Sequence, residues 1–558
     1  MILGIDMGGT HIDGAAIEKG VLLASVKHQV NRDDYFLSIW QCLEELIYQT
    51  GRRDITRIHL STTICTNAIV EGQVSEVGLV LQTGPGLKWP FERMGDTVVY
   101  LSGSVDHRGK VVRDLDMEEL RRVRGRLLAS QAGALSVVCK FSTRNPVFEQ
   151  RIRDYFEDSY DDITMGHTLS GKLNFPRRVQ TAYLNAAVSR TFRLFAGHMR
   201  EALEREGIRA PVFVLKADGG TIDFTSALRK PVETILSGPA ASFMGMHALS
   251  EADRSDRVLL DIGGTTTDLF FLVDGVPVFE PLGIEIDGRK TLVRAIFSQS
   301  VGIGGDSRVF FDNGKLQIGP RRLGFAVAFG GDAVTPTDAL VYLNKMEGKY
   351  PGKSRRALEA MASENDLSAG QLADLIVTRM CGRIREEIDR ILQRLNASPV
   401  YTIEELLRDR MIRPRAVEVI GGPAKALAGY LEKALSMPVF CPAHHAIANA
   451  IGAALAKPTV EVHMIADTER KTVSIPELGI YQPIDRQYTQ KRAEQFALSE
   501  VRKAGASLGL TEAQTEPEIV ESSCFNMVQG YGGGMEKNIR VKAQIRPGLL
   551  YKLERDEV

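Results

Sequence analysis

Two hydrophobic textures alternate along the chain. Short apolar runs at residues 1–5, 15–17, 135–140, 211–215, 258–260 and 269–273 are bounded by glycine, proline or aspartate and predict buried strands. Between them lie segments with helical spacing. Asp116 with Glu119 predicts a capping-box start for a helix over 116–128, and Asn145-Pro146 opens another. From Pro176, apolar Val179, Tyr183, Ala187, Leu194, Met199 and Leu203 predict one long helix ending near Gly207. This rhythm is α/β, and it puts Asp218-Gly219-Gly220 just past a strand's C-terminal end, where open α/β sheets hold ligands.

Further on, residues 371–395 read as a polar helix, and the small residues of 446–456 as a tightly packed one. After Lys457-Pro458, strands at 459–464, 472–475, 519–528 and 539–545 surround an amphipathic helix at 490–504, which predicts a small α+β domain with a glycine turn at 530–534. The expected division is an N-terminal lobe at 1–255 carrying an inserted α/β segment, a second lobe at 256–457 and a tail at 458–558.

One phrase occurs twice. Asp6-Met7-Gly8-Gly9-Thr10-His11-Ile12-Asp13 and Asp261-Ile262-Gly263-Gly264-Thr265-Thr266-Thr267-Asp268 both read DxGGTxxD, each between two short apolar strands. A lone Gly-Gly hairpin is as readily a tight turn as a ligand loop. The repetition favours the ligand. Adjacent glycines let backbone N–H groups approach a phosphate, threonine hydroxyls add donors, and an aspartate at a strand end holds Mg²⁺ through water. Further glycine loops stand at Gly302-Ile303-Gly304-Gly305-Asp306 and at Gly421-Gly422-Pro423, where a strand meets a helix. The P-loop and GxGxxG fingerprints are absent.

The 558 residues, 44% hydrophobic, suffice for several packed domains, and 69 Lys plus Arg against 70 Asp plus Glu give no net drive toward nucleic acid or anionic lipid. Without an eighteen-residue apolar run or a basic leader, the chain reads as cytoplasmic and unattached to membrane. Its six cysteines form no CxxC pair and read as buried thiols, there is no HExxH, and no GxSxG elbow marks a serine hydrolase.

The twin hairpins with the Gly-Gly-Pro loop resemble the superfamily of actin, heat-shock chaperone and sugar-kinase ATPases. Within it the chain is similar to the A-type subunit of the hydantoinase/oxoprolinase family, found also in acetone and acetophenone carboxylases. The matching phrases are Ser61-Thr62-Thr63-Ile64-Cys65-Thr66-Asn67-Ala68, Arg178 with Thr181 and Asn185-Ala186, Asp218-Gly219-Gly220, Ser237-Gly238-Pro239-Ala240, the second hairpin and Thr337-Asp338-Ala339. There are departures. Ala217-Asp218 stands where the family has Ser-Asn, Asp306 replaces the third glycine of a triple, and Phe325-Ala326-Val327-Ala328-Phe329 replaces a Pro-Gly-Pro run.

The resemblance implies duplicated actin-like, ribonuclease H-like ATPase lobes around a central cleft, beside the α+β tail. It implies an ATP- and Mg²⁺-dependent hydrolase that phosphorylates a cyclic amide carbonyl, as in a hydantoin or 5-oxoproline, before ring opening. Alternatives are a subunit of an ATP-dependent ketone carboxylase, a nucleotide-switch ATPase and a sugar-type kinase. Expected partners are a small-molecule cyclic amide or ketone, a B-type hydantoinase subunit and further copies in a homo- or hetero-oligomer. Asp6 and Asp261 are the candidate Mg²⁺ holders; Gly8, Gly9, Thr10, Gly263, Gly264, Thr265 and Thr266 the phosphate donors; Gly304, Gly305, Gly421 and Gly422 the adenosine side. Asp13 reads as a cap, and Asp268 as either a cap or an orienter of the attacking group. Thr63, Asn67, Arg178 and Asp218 are the substrate-side candidates. Arg178 is either a charge-steadying catalytic group or a surface salt bridge, and Asp218 either a general base or an Asx-turn residue. The basic clusters at Arg321-Arg322 and 353–356, and the His444-His445 pair, are expected to be solvated surface and loop.

Overall fold

The computed structural model describes residues 1–9, 11–31, 34–86, 90–91, 94, 97–250, 255–280, 282–397, 411–527 and 536–554. Thr10 and the 530–534 glycine turn lie outside the described residues. The fold is mixed α/β with several sheets.

Packing divides the chain into two units: 1–238 with 282–295 and 453–554, and 239–281 with 296–452. The lobe boundary expected near 255 therefore falls earlier. The expected tail is not separate either, because it folds against the first unit: Arg108 donates to Asp467 at 3.3 Å and the Glu554 amide to the Gly20 carbonyl at 2.8 Å. The tail's own architecture is the α+β one read from sequence, an antiparallel sheet including Glu461–Asp467 and Glu536–Gln544 with helix Gln490–Ser507 packed against it.

In the first unit, strands Ile2–Met7, His11–Glu18 and Val21–Gln29 form an antiparallel meander, and Arg57–Thr62 then Val212–Leu215 add in parallel on the other side of the first strand. In the second unit, Arg257–Ile262, Thr267–Val273 and Val276–Pro277 repeat the meander, and Ala416–Ile420 then Val439–Phe440 repeat the parallel additions. A wholly parallel sheet containing Val77–Gln82 and Ala134–Cys139 completes the first unit. It is lined by the 31-residue helix Phe175–Arg205, N-capped by Asn174 and carrying a proline in its first turn as the sequence suggested. Asp116 also caps its helix, but the Glu119 carboxylate turns to Ser102 instead of completing a capping box. Cys42, Cys65, Cys139 and Cys381 are buried as expected, whereas Cys524 is exposed.

The second unit's loops hang on Asp338. Thr335 and Asp338 form a reciprocal capping box at helix Pro336–Tyr342, and the fully buried carboxylate also accepts Val327 N–H at 3.1 Å, Ala328 N–H at 2.7 Å and the Ser354 hydroxyl at 2.7 Å. The segment standing where the family has Pro-Gly-Pro is thus shaped by hydrogen bonds to one carboxylate. Asp338→Ala strands these donors in an apolar interior and is expected to cost about 3 kcal/mol or more, read as a lowered melting midpoint.

Candidate functional site

The two hairpins are built alike. In the first, Asp6 stands opposite Asp13 and the Gly8 amide donates to the His11 carbonyl at 3.0 Å; in the second, Asp261 stands opposite Asp268 and the Gly263 amide donates to the Thr266 carbonyl at 2.9 Å. Like charges across an antiparallel pair repel, and the hairpins answer this differently. Asp13 receives Lys27 Nζ at 2.7 and 3.0 Å from the next strand, a cross-strand ion pair. Asp261 accepts the Ser242 hydroxyl at 2.6 Å and Asn449 Nδ2 at 3.3 Å. Asp268 is pushed up to about 6 by burial and by the Asp261 charge, against a lowering hydrogen bond from Ser300.

In the second unit the candidates converge on the C-terminal edge of one sheet. The Gly263 and Gly264 carbonyls accept the amides of Gly305 at 2.9 Å and Asp306 at 2.7 Å, and the Gly304 amide goes to Ser307 Oγ at 2.9 Å. Gly304 and Gly305 therefore brace the hairpin tip with their backbone, a closer placement than the adenosine side expected of them. The Thr337 amide holds the same loop through the Gly305 carbonyl at 2.8 Å. With the tip's carbonyls turned to this brace, the amides of Gly264, Thr265 and Thr266 meet no acceptor among the described residues. Gly421 follows the strand beside Asp261 with φ of 101°, and a Cβ there would strike the Ile262 carbonyl and stand 2.9 Å from Asp261 Oδ1. His445 clamps this turn, its amide-side carbonyl accepting Gly421 N–H at 3.1 Å and its Nδ1 lying 2.9 Å from the Gly421 carbonyl. Gly422 continues the loop into helix Ala424–Leu435.

In the first unit Asp6, Gly8, Thr63, Asn67 and Asp218 share the corresponding edge. Met7 pairs with Thr62, and the Thr62 amide donates to Ser237 Oγ at 3.1 Å while that hydroxyl donates to the Thr62 carbonyl at 3.0 Å. Thr63 precedes helix Ile64–Val70, where Asn67 Nδ2 lies 3.3 Å from its Oγ1. Asp218 accepts the Gly220 amide at 3.0 Å and Lys216 Nζ at 3.4 Å, the Asx-turn arrangement.

Arg178 is elsewhere. It is fully buried, with Nη1 donating to the Lys172 carbonyl at 2.9 Å and Nη2 to the Cys139 carbonyl at 3.1 Å in the parallel sheet. Nearby, the buried Glu149 accepts the Cys139 amide at 2.7 Å and lies 2.6 Å from His167 Nδ1. Neither the surface salt bridge nor a group facing the hairpin is found. The arginine braces the interior because its long side chain reaches the Lys172 carbonyl and the Cys139 carbonyl, which also accepts the Ser142 amide at 3.2 Å.

Four side chains were not singled out as site residues by sequence: Ser242, Asn449, His445 and Arg322. Ser242 lies two residues past the Ser-Gly-Pro-Ala phrase, the nearest available signal. Arg322, expected in solvent, donates Nη2 to Asp306 Oδ2 at 2.8 Å and Nη1 to Thr265 Oγ1 at 3.4 Å.

Comparison with known proteins places this architecture. The sequence model of "Hydantoinase/oxoprolinase" matches residues 178–462, and that of the "Hydantoinase/oxoprolinase N-terminal region" residues 2–159. The acetophenone carboxylase gamma subunit of Aromatoleum aromaticum is 28% identical over 57% of this chain and 49% of its own length. An uncharacterized protein of Schizosaccharomyces pombe is 25% identical over 62% of this chain and 31% of its own. The chain thus spans half or less of these relatives. Among solved structures, nucleotide-free acetone carboxylase superposes with a TM-score of 0.71 at 17% identity, covering 99% of this chain and 88% of that one. The ATP-dependent caprolactamase of Pseudomonas jessenii gives 0.70 at 19% identity, covering 98% and 87%. These two likenesses establish the fold.

Two substitutions test these assignments, one at the second hairpin and one at the interior brace. Asp268 has a folded value above its ordinary 3.8, so its contribution to stability is complete below pH of about 4 and lost as pH rises through about 6. In metal-free buffer the melting temperature of Asp268→Asn minus that of the parent should therefore climb between these limits and level off above them. Arg178→Ala should cost about 3 kcal/mol in denaturant unfolding, the penalty for breaking a buried charged network; an exposed catalytic arginine would cost almost none.

Proposed function

Because the chain belongs to the hydantoinase/oxoprolinase family, we propose that it is an ATP-dependent enzyme of A-subunit type which activates a carbonyl oxygen by phosphorylation, with a cyclic amide as substrate. The observation that carries this reading is the repeated DxGGTxxD hairpin, set in the same register on two sheets of the same wiring. That duplication is what two actin-like, ribonuclease H-like ATPase lobes would have.

Each side chain then has a task. The unclaimed amides at Gly264, Thr265 and Thr266 bind phosphate oxygens. Asp6 and Asp261 are hard oxygen donors suited to water-mediated Mg²⁺, and the crowded Asp261–Asp268 pair is one that a divalent cation would relieve. The cation supplies charge neutralisation of the phosphates. Ser242 and Asn449 fix the Asp261 carboxylate, and Thr63 and Asn67 offer hydroxyl and amide groups to the carbonyl substrate. Transfer of the terminal phosphoryl group to the amide oxygen breaks the bond to ADP and weakens the C–N resonance. Water then adds to the carbon, the ring C–N bond breaks with the nitrogen leaving as a protonated amine, and a second water hydrolyses the resulting acyl phosphate to carboxylate and phosphate.

A second reading, subunit of an ATP-dependent ketone carboxylase, is favoured by the likeness to the acetophenone carboxylase gamma subunit. The same phosphorylation would there act on an enol or on bicarbonate. Either activity is compatible with a B-type partner subunit.

Mg-ATP at a hundred times its dissociation constant should stabilise the protein by about 2.7 kcal/mol, seen as a rise in melting temperature. ADP release should be stimulated by a lactam, hydantoin or ketone, with or without a B-type subunit, and Asp261→Asn should lower it about 100-fold or more. Absence of nucleotide binding would end the proposal; stimulation by a protein and by no small molecule would point instead to a nucleotide switch.

A further inference from the structure

The second hairpin tip sits among three carboxylates, Asp261, Asp268 and Asp306, and the last stands where the family has glycine. Asp306 is pressed onto the turn: its amide donates to the Gly264 carbonyl at 2.7 Å, and its Oδ2 is 2.8 Å from where a Cβ on Gly264 would stand. Burial pushes its carboxyl upward, against the nearby Arg322 charge. A triphosphate meeting these groups needs cationic help, and among the described residues no lysine or arginine other than Arg322 hydrogen-bonds to the tip or its brace.

Arg322 is held for such a role. It ends strand Lys315–Arg322 in register with Ser307, its Nε donates to the Gly324 carbonyl at 2.8 Å, and its guanidinium lies over the Phe325 ring at 5.2 Å. Its side chain is 14% exposed, which rules out a freely solvated cation. Of the five N–H bonds of a guanidinium, three are directed to Gly324, Asp306 and Thr265, the last at a long 3.4 Å. One on each terminal nitrogen stays undirected among the described residues. A planar fork anchored at one side with donors left on the other matches two oxygens of a phosphate.

We propose that Arg322 is a phosphate-binding residue of this site, held by Asp306 and Phe325 so that its fork engages the terminal phosphate of a nucleoside triphosphate beside Thr265. This rests on the nucleotide-binding reading above and adds what that reading lacks: a side chain in the second unit that distinguishes triphosphate from diphosphate. Asp306 in place of glycine is then half of a functional pair, since its charge fixes the arginine and the arginine offsets its charge.

The test is equilibrium binding of ADP and of a non-hydrolysable ATP analogue, each with Mg²⁺, to the full chain. Arg322→Ala should weaken the analogue about 10- to 100-fold, the worth of a charge-assisted contact, and leave ADP within about twofold. Asp306→Asn combined with Arg322→Gln removes the cation without leaving a bare carboxylate, and should show the same selective loss at an unchanged melting temperature. Equal losses for both nucleotides, no loss for either, or full triphosphate preference in the double variant would overturn the assignment of Arg322 alone. A parent protein that binds neither nucleotide would instead overturn the nucleotide reading, and this assignment with it.

Discussion

Two carboxylates facing one another across a hairpin, next to a pair of glycines, set the terms for much of the surrounding structure. Asp6 faces Asp13, and Asp261 faces Asp268. Repulsion at that spacing must be relieved by a cation, by hydrogen bonds or by a proton. The first hairpin uses Lys27 from its own meander. The second uses Ser242 and Asn449 on one carboxylate and a raised pKa on the other.

The loops around the second hairpin serve this arrangement in layers. Carbonyls at the tip are taken by Gly305 and Asp306, the Gly305 carbonyl by Thr337, and the start of that helix by the Thr335–Asp338 box. The first layers are joined by backbone bonds and the last by side-chain bonds of Thr335 and Asp338, so a buried carboxylate far along the chain supports the hairpin tip. Such pre-set donors are what charge stabilisation during phosphoryl transfer demands.

What the sequence made legible was local. The repeated hairpins, the long helix after Asn174, the alternation of strand and helix and the α+β character of the last hundred residues follow from spacing and caps within a few residues. Contacts that join distant positions were not legible. Asn449 reaches Asp261 across 188 residues, and Arg322 reaches Thr265 across 57. Arg178 carried a family phrase and proved to be an interior brace, because an arginine on a helix says nothing of which carbonyls the packing leaves for it. The Asp13 ion pair was not legible because its partner, Lys27, lies on the third strand of the meander. The tail's attachment to the first unit likewise depends on pairings such as Arg108 with Asp467 that no local pattern announces.

Amide hydrogen exchange, with and without a non-hydrolysable Mg-ATP analogue, tests the central claim most directly. Slowed exchange at residues 7–12 and at residues 263–267 together, with the Gly421 turn following, is the predicted result. Protection confined to one hairpin, or falling on neither, would contradict the account.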